Sequence, residues 1–408
     1  MTGLPRADSP ADVGFIPARL QRLTDALAAD VEKGAIPGAV IAVARDGKLA
    51  AHDAVGYRDR EAGTPMPLDA VFRGASVTKP LVVAAALTLV DDGALQLAAP
   101  VSRYLPALAN MTVGVETVAA AGTRALERVP AEREITVQDL MRHTAGFTYG
   151  AFGDSLVQRA YRAANVVDMQ QTNAELVDKL AALPLAYQPG STFEYGMSID
   201  VLGAVVEVVA GMPLDRFLAE RITGPLGMPD TGFRLADPGR LAHPQIDPAT
   251  GERPNLRGLF DPALPPRWFS GGGGIVTTAL DYARFAQMLL GGGTLDGVRV
   301  LGRKTVDLMT SDHLPPGVAF GPFTPELGVT APFPWFGQGF GLGVSVRIDA
   351  GRSPNPGSVG DFSWSGISGT FFWADPRERL LAVLMLQAPA VRVYYRSLMR
   401  ALVYQALA

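Results

Sequence analysis

A hydroxyl and an ammonium three residues apart are the first candidates for chemistry. Gly74-Ala75-Ser76-Val77-Thr78-Lys79 leads into an apolar stretch from Pro80 to Val90 that Asp91-Asp92-Gly93 terminates. If Ser76 opens that helix, Lys79 lies one turn on and the two side chains share a face. In a partly desolvated pocket a lysine activates an adjacent alcohol, and the helix N-terminus adds backbone donors where an oxyanion could form. Taken alone the pattern is weak, because a serine N-cap followed by an exposed lysine reads the same way. A second candidate is Tyr195, in Phe193-Glu194-Tyr195-Gly196-Met197-Ser198. An ordinary phenol titrates at about 10, so it takes a proton from Ser76 at neutral pH only if an ammonium such as Lys79 favours the phenolate or relays the proton. A core aromatic with a hydrogen-bonded hydroxyl is the alternative.

Other chemistries find little support. The chain has no cysteine, which excludes disulfides, thiolate catalysis and cysteine-ligated zinc. None of His52, His243 and His313 has a histidine or cysteine at i+3 or i+4, so no metal site is expected, and no cofactor. Gly271 to Gly274 has the glycine content of a phosphate loop without the Lys-Ser/Thr that should follow, and backbone crowding near a pocket explains it better. Ser358 lies in a Pro/Gly-rich loop, not at a strand-to-helix elbow. A net charge of −4 without any Lys/Arg run argues against nucleic acid. The first 20 residues lack a basic start and an apolar run, which favours the cytoplasm, and Pro80 to Val90 is far short of a membrane span. The expected partner is a small-molecule substrate; the sequence leaves the oligomeric state open.

These residues need elements to hold them. With 408 residues, 48% of them hydrophobic, the chain can bury a large core and should form two structural units. A helix is expected from Pro17 to Lys33. Gly38 to Arg45 and Lys48 to Gly56 flank an Asp-Gly turn and read as a hairpin. Gly369 to Ala374 and Leu380 to Ala388 repeat that pattern around Asp375-Pro376-Arg377, and a closing helix runs from Val391 to Ala408. The two ends could share one antiparallel sheet. Between them, helical patterns at Thr136 to Arg142, Asn173 to Leu183 and Ser198 to Ala210 suggest an inserted helical region. A further helix is expected from Ile275 to Leu290, and Leu314 to Gly343 reads as a long surface loop.

The segment Phe72 to Lys79 resembles the nucleophile motif of the serine β-lactamase and penicillin-binding-protein superfamily, in the branch of class C β-lactamases and family VIII carboxylesterases. Matches follow in order at Asp91 to Leu97, His143-Thr144-Ala145-Gly146, Gln188-Pro189-Gly190, Tyr195, Asp200-Val201-Leu202-Gly203, Pro225-Leu226-Gly227-Met228, Gly272-Gly273-Gly274 and Trp364-Ser365-Gly366. The likeness spans about residues 15 to 400. It implies an α/β (α+β) fold of β-lactamase type: an antiparallel sheet flanked by helices, built from residues 1–100 and 268–408, with a mostly helical domain at 101–267. It implies that Tyr195 is the general base beside Ser76 and Lys79, and that the Ser76 and Ile367 amides form an oxyanion hole. It places Trp364, Gly366 and Met197 at the substrate, and it gives His143 a structural part after a helix. Met197 stands where the β-lactamases have an asparagine for the side-chain amide, and Trp364 where they have a lysine that attracts the carboxylate. Both departures point to a neutral acyl ester and a serine carboxylesterase of short-chain or small esters. The alternatives are a β-lactamase or D-Ala-type peptidase, and an acyltransferase. Trp268, Phe269, Phe333, Trp335, Phe336 and Phe340 could line an ester pocket or simply pack a core.

Overall fold

A computed structural model of the chain describes residues 3–118, 122, 124–247, 250–254 and 265–408. Near the N-terminus, α1 (Pro17–Glu32) leads into the hairpin of β1 (Gly38–Arg45) and β2 (Lys48–Asp59). Asp46 and Gly47 turn it with φ of 54° and 75°, the left-handed pair whose twist matches that of the strands. The short β3 (Thr64–Pro65) pairs with β2. From the far end of the chain come β4 (Gln338–Phe340), β5 (Ser345–Arg347), β6 (Phe362–Ser365), β7 (Phe371–Asp375) and β8 (Leu380–Leu386). All eight form one antiparallel sheet in the order β4-β5-β6-β7-β8-β1-β2-β3. The two chain ends meet at its centre, where Ala39 faces Leu386 and Arg45 faces Leu380.

The two-residue period of the strands divides their side chains between two cores. Ile41, Val43, Ala382 and Leu384 pack with Leu23 and Leu27 of α1 and with Tyr395, Met399 and Val403 of the closing helix, Arg392–Tyr404. Val40, Ala42, Val383 and Met385 face the other way, into the core that holds α2 (Thr78–Asp91). With both faces covered, the central strands β1 and β8 read as nearly unbroken apolar runs. In α2 every residue from Thr78 to Leu89 is buried, as befits a helix that is apolar all round and sits between the sheet and the inserted region. Among the described residues no helix is long and apolar enough to cross a membrane.

Three helices of the inserted region, Val137–Met141, Leu156–Ala163 and Asn173–Ala181, each start at a capping box: Thr136 with Asp139, Ser155 with Gln158, Thr172 with Glu175. Ser198–Ala210 is a helix over the expected span. The same region holds a hairpin absent from the sequence reading, Thr112–Val118 against Arg124–Pro130, whose residues are mostly half-buried or exposed and so carry no clear apolar period. Two other expectations are corrected. The helix expected from Ile275 begins at Ala279, because Val276–Thr277 pairs with Phe72–Arg73 and Thr278 caps the helix that follows. Leu314 to Gly343 is not a plain surface loop: Ala319–Phe320 pairs in parallel with Thr192–Phe193, two short 3₁₀ segments follow, and Leu327, Phe333 and Phe340 are buried. Its Pro and Gly spacing hid the apolar side chains that tie it down.

Arg347 of β5 and Arg400 of the closing helix share one carboxylate, Asp361, at 2.7 Å and 3.0–3.1 Å, and all three side chains are almost fully buried. Removing Asp361 leaves two guanidinium groups unpaired in the interior. Asp361→Ala is expected to lose about 3–5 kcal/mol of stability, measured by denaturant unfolding, whereas Asp46→Ala, which removes an exposed partner of Arg379, should lose less than about 1 kcal/mol.

Candidate active site

Ser76 is presented by a strained turn that the rest of the fold clamps. Phe72–Arg73 ends in the pairing with Val276–Thr277, and the Gly74 N–H donates to the Ile275 carbonyl at 2.9 Å. Ala75 follows with φ of 49°, a left-handed conformation that disfavours a side chain by about 1–2 kcal/mol. One 3₁₀ turn, Ala75–Val77, then feeds α2. The loop after β6 holds this turn in place: Ser368 Oγ donates to the Arg73 carbonyl at 3.0 Å and Thr370 Oγ1 to the Gly74 carbonyl at 2.8 Å. These bonds bring the loop that carries Gly366 and Ile367 up to the serine.

The Lys79 side chain is fully buried and donates three hydrogen bonds: to Ser76 Oγ at 3.3 Å, to the Tyr149 hydroxyl at 2.9 Å and to the Gly272 carbonyl at 2.6 Å. Its three protons are thereby all used. The sequence reading did not select Tyr149, which lies only three residues beyond the His143 to Gly146 motif. Its one available signal was that proximity. Burial, reinforced by the nearby Asp200 and Tyr195 charges, raises the Tyr149 hydroxyl well above the usual phenol range, so it stays protonated. Tyr195 contributes its ring instead, with Lys79 Nζ 4.7 Å from the centroid, at cation–π distance.

The Gly272 carbonyl is itself oriented from behind. The Gly272 N–H donates to Asp200 Oδ1 at 2.9 Å, and Ser270 Oγ donates to the same oxygen. Asp200 is fully buried; burial raises its pKa, while the Lys79 charge opposes the rise. A Cβ on Gly272 would press on Asp200 Oδ2 and stand 2.9 Å from the Tyr149 hydroxyl, so this backbone approach requires glycine.

The serine opens into a cavity walled by Tyr149, Tyr195, Gly366 and Ile367 and by the apolar side chains of Phe152, Met169, Trp268, Phe323 and Leu327. Among the described residues, the Ser76 and Ile367 amides donate to no protein acceptor. Two residues expected at the substrate lie elsewhere. Met197 is fully buried at the start of Ser198–Ala210, and Trp364 is fully buried in β6 between Tyr195 and Phe340, at ring distances of 5.6 and 5.2 Å. Neither lines the cavity, because each packs behind Tyr195 or its helix. Of the six aromatics considered in the sequence, Trp268 reaches the wall; the others do not, and Phe152 and Phe323, stacked at 3.7 Å, take their place. His143 offers no relay to the serine. Its ring packs 4.9 Å from that of Tyr195, neither nitrogen has a partner among the described residues, and burial together with the Lys79 charge keeps it neutral.

Residues 23–402 match the family model described as Beta-lactamase. The chain belongs to the beta-lactamase family. It is 41% identical over 374 residues to protein Rv1367c of Mycobacterium tuberculosis, covering 87% of each chain. Esterase EstB of Burkholderia gladioli is 32% identical over 397 residues, 92% of this chain and 91% of that one. Among solved structures, EstCE1, a hydrolase with promiscuous acyltransferase activity, superposes with a TM-score of 0.76 at 28% identity, covering 95% of this chain and 99% of its own.

One more acid adjoins this beta-lactamase-family site. Glu194, next to Tyr195, is 2% exposed, its Oε2 lacks a partner among the described residues, and burial pushes its pKa up to about 7. Gly321 leaves the space this carboxyl occupies. A folded-state pKa above the unfolded value means that the native state binds the extra proton between about pH 4.5 and 7. Stability therefore falls as pH rises through that window, by about 3 kcal/mol at most. In urea melts from pH 5 to 8, wild type is expected to lose stability relative to Glu194→Gln as pH rises; parallel profiles would show that the carboxyl ionises freely.

Proposed function

We propose that this protein is a serine carboxylesterase that hydrolyses short-chain or small carboxylic esters through an acyl-enzyme on Ser76. The observation that carries the reading is the buried Lys79 ammonium, 3.3 Å from the Oγ of Ser76, where that serine opens into a largely apolar cavity. In this mechanism Ser76 attacks the ester carbonyl. An ammonium has no lone pair to accept another proton, so in this mechanism Tyr195 takes it as the phenolate, with Lys79 Nζ 4.7 Å from its ring centroid. The Ser76 and Ile367 amides hold the oxyanion, and two such fixed donors contribute a few kcal/mol each to lowering the barrier. The alcohol leaves with the Tyr195 proton, and water releases the acyl group by the reverse route. Tyr149, kept protonated, fixes the ammonium and does not act as the base.

The relatives support this reading, since EstB is an esterase. Acyl transfer to an alcohol is the second reading, favoured by the apolar walls that limit water and by the promiscuous acyltransferase activity of EstCE1. With Met197 buried and Trp364 in place of a lysine, a β-lactam would find neither of its expected partners.

A phosphonate ester is expected to add once to wild type, as read by intact mass, and short p-nitrophenyl esters to turn over much faster than a chromogenic cephalosporin. Both the adduct and the turnover should vanish in Ser76→Ala, and kcat should drop about 10²–10⁴-fold in Tyr195→Phe. Persistence of the adduct in Ser76→Ala would remove Ser76 as nucleophile, and faster cephalosporin than ester turnover would reassign the enzyme as a β-lactamase. Product formed with added alcohol would favour the transferase reading.

A further inference from the structure

We propose that Glu194 is a positioning residue for the Ser76 site: its buried carboxyl is the post on which the chain segments carrying Tyr149 and Phe323 are set around Tyr195. This goes beyond the esterase reading and rests on it only for the reaction that is measured.

Three stretches of chain converge on this residue. Glu194 directly precedes Tyr195 and follows Thr192–Phe193, which runs parallel to Ala319–Phe320. Its N–H donates to the His143 carbonyl at 2.9 Å, and the Gly321 N–H donates to the Phe193 carbonyl at 2.9 Å. A Cβ on Gly321 would overlap the Glu194 carboxyl, so the backbone of that segment lies directly against the acid. Two residues on, Phe323 lines the cavity, its ring stacked on that of Phe152 at 3.7 Å. From the other side the Thr148 hydroxyl faces the carboxyl, and the next residue is Tyr149, which accepts from the Lys79 ammonium. Tyr161 belongs to the helix that fixes the same segment: Gly150 packs against its Cβ, and Gln158 Nε2 donates to the Phe152 carbonyl at 3.0 Å. Glu194 Oε2, Thr148 Oγ1 and the Tyr161 hydroxyl are all buried, and none has a hydrogen-bond partner among the described residues. A buried polar group left unbonded costs about 1–3 kcal/mol. The bonds these three can make depend on where the two segments stand.

Among the described residues no cation pairs with the carboxyl: burial raises its pKa to about 7, and the Thr148 hydroxyl alone opposes the rise. Two phenols face it, Tyr161 and Tyr187. Burial first and the Glu194 charge second raise both, so they stay protonated. His143 is kept neutral by burial and the Lys79 charge. Residues 319–325 contain no titratable group. While it keeps its proton, the acid is neutral and fits this enclosed place. Once ionised it has no counter-ion and needs donors, and those within reach are the hydroxyls of Thr148 and Tyr161, which flank the Tyr149–Phe152 segment. Deprotonation therefore draws that segment away from Lys79, and hydration of the anion presses on Gly321. The site works with Glu194 neutral, and activity falls as pH rises through about 7.

The test measures kcat/KM on p-nitrophenyl butyrate across pH 5.5 to 8.5 in wild type, Glu194→Gln and Thr148→Val, under conditions where all three are folded. Glutamine keeps the shape of the protonated acid and cannot ionise. The ratio of wild type to Glu194→Gln is expected to fall about tenfold between pH 6 and pH 8, as a single group with a midpoint of about 7 requires. Thr148→Val removes the hydroxyl that favours the anion, so the fall should move to higher pH. Parallel profiles for wild type and Glu194→Gln would overturn the proposal, leaving Glu194 a core residue whose replacement changes stability alone. So would a Thr148→Val profile that stays in place or moves to lower pH. Hydrogen exchange followed by mass spectrometry reads the segments without turnover: residues 147–153 and 320–324 should exchange faster in wild type than in Glu194→Gln at pH 8, and alike at pH 6. Equal exchange at both pH values also overturns the proposal. If no variant turns over an ester, the esterase reading fails by itself, and the exchange comparison still decides the part played by Glu194.

Discussion

The buried ammonium of Lys79 is the constraint around which the site is assembled. A charge in the interior is tolerated only when its hydrogen bonds are satisfied, and its three acceptors come from three separate stretches of chain. Ser76 lies one turn before it, Tyr149 comes from the inserted region, and Gly272 comes from the glycine run that leads back to the sheet. Displacing any of these segments strands the charge, so the position of the inserted region relative to the sheet is tied to the position of the serine. Asp200 extends the arrangement by one layer, fixing the Gly272 backbone from a helix of the insertion.

The sheet supplies the opposite wall and stores the strain. Ala75 holds a left-handed backbone while Ser368 and Thr370, just past β6, bond the carbonyls on its N-terminal side. The same loop places Gly366 and Ile367 at the cavity. Its Gly366 carbonyl is held in turn by Arg396 of the closing helix, which Asp361 anchors to the sheet through Arg400. The nucleophile turn, the loop facing it and the C-terminal helix thus form one hydrogen-bonded unit, although almost 300 residues of sequence separate its parts.

What the sequence made legible follows from the range of the interactions. The Ser76–Lys79 spacing is a one-turn relation, and the Asp46-Gly47 turn with its apolar flanks is a local signature, so helix and hairpin could be read directly. The apolar runs at both chain ends were enough to suggest that they share a sheet. Tyr149 was not legible, because its importance depends on a contact 70 residues away, and nothing in Thr148-Tyr149-Gly150 marks it. Met197 and Trp364 were misplaced for a related reason. Matching a motif gives a position in the chain, but it does not give the face of the strand or helix on which the side chain stands. Arg392 and Arg396 were not selected in the sequence, because only the fold brings their side of the closing helix to the cavity. The 112–130 hairpin escaped because its half-exposed residues lack the apolar period that sequence reading relies on.

The electrostatics also explain why a phenol, not an imidazole, fits the role of base in the proposed mechanism. His143 packs against Tyr195 and is within range of the Lys79 charge, but burial and that charge both oppose its protonation, so it cannot carry a proton through a turnover. A phenol differs from an imidazole in the sign of its charged form. A base that becomes neutral on accepting a proton, and negative on losing it, is stabilised in its reactive form by the same cations that disable histidine. Lys79 Nζ lies 4.7 Å from the centroid of the Tyr195 ring. A site built around a buried ammonium thus suits an anionic base in the proposed mechanism, and of the two tyrosines that line this cavity beside Ser76, Tyr195 is the one whose hydroxyl is not already committed to Lys79.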